Sequence, residues 1–97
     1  MKFQSESMDR LFRSILALES VEECYEYFSD LCTIKELQDM AQRLDTAVLL
    51  SEGASSQEIT QKVGMSTATI GRVSRALNYG SGGYRKVIQR LNEEEEA

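Results

Sequence analysis

Two arginines three residues apart, Arg72 and Arg75, lie in the stretch STATIGRVSRALNYGSGG from Ser66 to Gly83, which holds no acid in a chain of formal net charge -5. Guanidinium groups at that spacing share one side of a helix, where they can donate paired hydrogen bonds to guanine edges or to phosphate oxygens. The chemistry on offer is binding of a polyanion. Other reactive groups are sparse. The chain has no histidine, so Cys24 and Cys32 lack the partner of a Cys/His metal or nucleophilic site, and neither has a basic setting. Both fall on the helically spaced stripe Val21, Cys24, Tyr25, Phe28, Leu31 and Cys32, and they read as small buried hydrophobes. The segment NYGSGGYR offers glycine N–H groups ahead of a helix, as a phosphate cradle would, but it lacks the preceding strand and the Lys-Ser pair of a P-loop. It reads as a helix stop at Gly80 and a reversal into a last helix, whose Arg85 and Lys86 are placed to touch a DNA backbone. Tyr79 and Tyr84 are expected to pack on the domain edge. Neither enzyme chemistry nor a cofactor or metal is expected.

The charge is strongly divided along the chain. Residues 1 to 65 carry -6, residues 66 to 92 carry +5 from Arg72, Arg75, Arg85, Lys86 and Arg90, and Glu93 to Glu96 return -4. Screening confines charge effects to roughly 8 to 10 Å at cellular salt, so the local basic patch outweighs the global sum in meeting a polyanion. The 93–97 end reads as a solvated acidic tail.

The elements that must position these groups are helices. No proline occurs, and Ser20 with Glu23, Thr33 with Glu36 and Ser55 with Glu58 each fit the capping box that starts a helix. Ser7, with Asp9 following, offers a weaker start for an earlier helix through Leu11, Phe12, Ile15, Leu16 and Leu18. Apolar positions Leu37, Met40, Ala41, Leu44, Ala47 and Val48 predict a long central helix from Ile34 to Glu52, ended by Gly53. Gly64 and Gly80 end two shorter helices, and Tyr84 to Leu91 reads as the last. The fold class is all-α, about six helices with no convincing strand. At 97 residues the chain makes one domain, 1–97, small enough that help from a second copy is plausible. No apolar run is long enough to cross a bilayer and Met1 to Arg13 builds no signal-peptide core, which predicts a cytoplasmic protein.

Between about 55 and 78 the pattern is that of a helix-turn-helix. Ile59, Val63, Met65, Ile70 and Val73 take its inward positions, and Gly64 its turn. On the second helix, Ser66 to Asn78, the residues Ile70, Val73 and Leu77 group on one side, and Ala68, Gly71, Arg72 and Arg75 on the other. Small residues permit close approach to a groove, while Thr67 and Thr69 near the helix start can hold phosphate oxygens. Gly71 costs about 1 kcal/mol against alanine in mid-helix, and it reads equally as clearance for a duplex or as a neutral surface position. The candidate DNA-contacting residues are Ser66, Thr67, Ala68, Thr69, Gly71, Arg72 and Arg75, with Gln57 on the preceding helix and Arg85 and Lys86 beyond.

Through CTIKELQDMAQRL, STATIGRVSRALNYGSGGY and the helix-turn-helix between them, Thr33 to Leu91 resembles the Trp repressor superfamily. The whole chain is similar to that superfamily's small Trp-repressor-like branch, the YerC/YecD type. The resemblance implies an intertwined homodimer, with Leu11, Ile15, Leu18, Phe28, Leu31, Leu37 and Leu44 as candidates for a shared core. It also implies a transcriptional regulator whose two recognition helices enter major grooves about 34 Å apart. Arg43 and Arg72 match the pair that sandwiches the corepressor indole in tryptophan-sensing members and are a possible remnant of that pocket. Val73 and Ala76 stand where those members have a glycine and a serine, so tryptophan is not expected to bind, and no other corepressor is indicated. Thr60 replaces the usual small alanine between the two helices, and Glu58 a DNA-contacting basic residue. The expected function is a sequence-specific DNA-binding regulator, a repressor by analogy, with double-stranded DNA as partner. The alternative is a protein-interaction module that docks an acidic protein on the same face.

Overall fold

A computed structural model describes residues 1–96. Six helices follow one another: α1 (Glu6–Leu16), α2 (Val21–Leu31), α3 (Ile34–Ser51), α4 (Ser56–Val63), α5 (Thr67–Tyr79) and α6 (Gly83–Glu96). No strand occurs among the described residues. They form two compact units, Met1–Leu37 and the chain from Gln38 onward. No helix is long and apolar enough to cross a membrane.

In the first unit the helix starts are set by short polar side chains. Ser5, not Ser7, caps α1: its hydroxyl accepts from the Met8 N–H at 3.0 Å, and Ser7 falls inside the first turn. Both serines precede the same apolar stripe, and an extended backbone at Ser5 decides between them. Ser20 accepts from the Glu23 N–H, but Glu23 reaches one residue further back than a capping box requires, to the Glu19 N–H at 2.9 Å. Thr33 and Glu36 complete the reciprocal pair. The Thr33 backbone N–H, followed by its hydroxyl, lowers the Glu36 carboxyl below the usual glutamate range. That contribution to helix stability is present above the ordinary glutamate pKa and is lost as pH falls through the depressed value.

Ser14 Oγ and Tyr27 Oη, 2.6 Å apart, tie α1 to α2, and Tyr27 meets Phe28 edge-on. No residue of this unit is fully buried. Leu11, Ile15, Leu18, Phe28 and Leu37 are half-buried, Leu31 is exposed, and Leu16 is 83% exposed. The thiols differ from the expected core pair. Cys24 and Cys32 are free and only half-buried, because Val21 and Tyr25 on the same stripe face outward.

The second unit holds the core, in two clusters. Ala47, Val73, Leu77 and Ile88 pack with Val48, Leu50 and Tyr84; Ile59, Met65 and Ile70 pack with Leu49, Leu50, Ala54 and Val63. Leu50 belongs to both. Thr46 is the buried polar residue among the described residues, and its hydroxyl donates to Gln42 O at 2.8 Å. The glycine at the C-cap of α4, Gly64, has φ 80, a left-handed turn that a side chain would strain, and this fixes the angle at which α5 departs.

The last helix departs from the sequence reading. It runs to Glu96, so Glu93 to Glu96 form helical turns instead of a loose tail. Glutamate propagates a helix well, and Gln89 Nε2 donates to Glu93 Oε1 at 3.2 Å across one turn.

Candidate nucleic-acid interface

Helix α5 starts where Ser66, with extended backbone, accepts the Thr69 N–H on its hydroxyl at 3.3 Å. Its inner side is fixed by burial. Ile70 joins one cluster, and Val73 and Leu77 join the other, so both halves of the core hold one helix. The opposite side is outward as its pattern predicts: Thr67, Ala68, Gly71, Arg72 and Arg75 are all exposed, as are Ser66 and, on α4, Gln57. A Cβ built at Gly71 meets nothing within 4 Å.

Three candidates carry constraints within the chain. Ser66 Oγ and Thr69 Oγ1 lie 3.0 Å apart, so the cap already engages both hydroxyls, and Thr69 is half-buried. Arg85 Nη2 donates to Asn78 Oδ1 at 2.7 Å, and Asn78 Nδ2 to Ser74 O at 3.0 Å, which links the start of α6 to the end of α5. Lys86 follows, exposed, on α6. Asn78 had no signal in the sequence beyond its place before the glycine turn. Glu58 has a local duty as well: its carboxylate accepts from the Ser55 N–H and hydroxyl, closing the cap of α4. Of the two tyrosines expected on the domain edge, Tyr84 packs against the core but Tyr79 is 87% exposed, because it follows the last inward position of α5, Leu77.

Arg43 and Arg72 line the same surface cavity, of about 320 Å³, with Asp39, Gln42, Met65 and Thr69. Val73, by contrast, is drawn inward among Ala47, Leu77 and Ile88, and the cavity is lined without it. Ala76 lines a different, more apolar cavity of about 460 Å³ with Leu44, Tyr84, Val87 and the Gly80–Gly83 turn.

A six-helix chain whose fifth helix is clamped from beneath and turns a small, cationic side outward is the architecture of a Trp-repressor-type protein. The Trp repressor protein family model matches residues 6–92, and the chain belongs to that family. The uncharacterized protein YerC of Bacillus subtilis (strain 168) is 49% identical over 94 residues, covering 97% of this chain and 90% of that protein. A crystal structure from Staphylococcus aureus, assigned provisionally as a Trp repressor, superposes with a TM-score of 0.90 at 44% identity, covering 94% of this chain and 91% of that one. A TrpR-like protein from Eubacterium eligens does so with a TM-score of 0.90 at 43% identity, covering 94% of each chain. The family is a regulatory DNA-binding fold and not an enzyme family.

Proposed function

We propose that this protein is a cytoplasmic, sequence-specific DNA-binding transcriptional regulator, acting as a repressor. On this reading it is a homodimer of single-domain chains, each placing α5 in a major groove. The observation that carries the reading is the outward side of α5, where the small Ala68 and Gly71 lie exposed beside Arg72 and Arg75 and a Cβ at Gly71 would meet nothing within 4 Å. Ser66 and Thr67 at the start of α5, Gln57 on α4, and Arg85 and Lys86 on α6 are exposed as well. The half-covered apolar residues of the first 37 positions support a dimer, since a second copy would bury them. Tryptophan is not the effector on this reading, because Val73 and Ala76 stand where tryptophan-sensing members of the family have a glycine and a serine.

The testing measurement is a gel-shift titration on duplex DNA at several salt concentrations. Arg72, Arg75, Arg85 and Lys86 give eight cations per dimer. Affinity is then expected to fall about 10³-fold or more between 50 and 200 mM salt, because each neutralised phosphate releases counterions. Passage through a calf-thymus DNA column at low salt without retention would favour an acidic protein partner instead.

Gly71 separates two readings of its own position. The site is sterically open, so Gly71→Ala is expected to stabilise the fold by about 0.5–1 kcal/mol, read as a melting temperature higher by roughly 4 °C. Clearance for a duplex is supported if the same variant binds DNA more weakly while melting higher.

A further inference from the structure

We propose that Met65 is a peroxide-sensitive modification site, and that its conversion to the sulfoxide loosens the seat of α5. The residue occupies the turn between α4 and α5, immediately before the cap residue Ser66. Its side chain is 9% exposed, packed with Ile59 and Ile70, and its Sδ lies 2.6 Å from Thr46 Oγ1. A methionine so placed would be protected if it faced only core. This one also lines the 320 Å³ surface cavity, alongside the exposed Gln42, Arg43 and Arg72, so a water-sized oxidant in that cavity meets the Met65 side chain.

The step balances with hydrogen peroxide as oxidant. A sulfur lone pair attacks one peroxide oxygen, the O–O bond breaks and an S–O bond forms. The proton of the transferred oxygen passes to the departing hydroxide, giving water. Sulfur loses two electrons and the peroxide gains them. The product exchanges an apolar thioether for a polar S=O group beside Ile59 and Ile70, where a polar oxygen disrupts packing. Donors that line the same cavity are the Gln42 amide and the Arg43 and Arg72 guanidinium groups, and the Asp39 carboxylate lines it as an acceptor. A sulfoxide oxygen that recruits Arg72 takes a cation from the outward side of α5; that consequence alone rests on the DNA-binding reading.

The sequence makes the test clean, because each of the four methionines falls in a different tryptic peptide: Met65 in Val63–Arg72 and Met40 in Glu36–Arg43. The folded full-length chain is treated with hydrogen peroxide, digested and weighed, and its melting temperature and duplex affinity are measured before digestion. Met40 is 40% exposed and serves as the reference. The expected result is one added oxygen on peptide 63–72 on the time scale of peptide 36–43, with a lower melting temperature and weaker duplex binding. Met65→Leu, which conserves volume and leaves Thr46 its bond to Gln42 O, is expected to keep its melting temperature under the same treatment. An unoxidised peptide 63–72, or an equal loss of melting temperature in the leucine variant, overturns the proposal. Should the untreated chain fail to bind duplex DNA, the DNA-binding reading falls, while the mass and melting readouts still decide the oxidation.

Discussion

Replacing Arg72 and Arg75 together by alanine is expected to weaken duplex binding about 30-fold or more, since each arginine placed on a base edge or phosphate is worth roughly 1–3 kcal/mol. Both side chains are exposed on α5, and neither belongs to the core clusters, so the fold should survive the change. Two readouts keep affinity and integrity apart. Circular dichroism of the double variant should match the parent, and the slope of log affinity against log salt should become shallower. The slope change counts phosphates given up, about one unit for each lost cation. Unaltered affinity with an unaltered slope would remove α5 from the interface.

Ile70→Ala should act on the opposite side of the same helix with a comparable energy. The side chain is 1% exposed between Ile59 and Met65, and truncating a buried isoleucine costs about 2–5 kcal/mol in lost transfer energy and residual cavity. In a chain of this size that lowers the melting temperature by about 10 °C or more, on a scale of roughly 4–8 °C per kcal/mol. Gln61→Ala, on an exposed position of α4, should change stability by under about 0.5 kcal/mol. A scan of thermal unfolding on the two variants checks both numbers. A similar melting temperature for the two would mean that α5 is not seated on this cluster.

Legibility in the sequence followed the range of the interactions. The left-handed turn at Gly64, the cap at Ser55 and the inward run Ile70, Val73 and Leu77 depend on neighbours within a few positions, and the pattern shows them directly. The outward placement of Ala68, Gly71, Arg72 and Arg75 follows from the same periodicity. Two local choices went the other way. Ser5 and Ser7 are equally good caps by type, and four consecutive glutamates read as solvated charge although their propensity favours helix. The remainder is tertiary. Nothing in the spacing says that Arg85 finds Asn78, that Met65 and Thr46 meet across 19 positions, or that Val73 turns away from the cavity of Arg43 and Arg72. The half-exposure of Cys24 and Cys32 belongs there too, since a stripe predicts which side is apolar and not how much of it is covered.

The two hydrogen bonds that the Glu58 carboxylate accepts from Ser55 also narrow the mutational routes open to this lineage. Glutamine can keep the acceptor half of that arrangement, so neutralising the position is inexpensive, whereas lysine or arginine has no oxygen to give and would leave the first turn of α4 held only by the Ser55 hydroxyl on the residue-58 N–H. Selection for tighter grip on a polyanion would therefore find substitutions on α5 or α6 more accessible than a cation at 58.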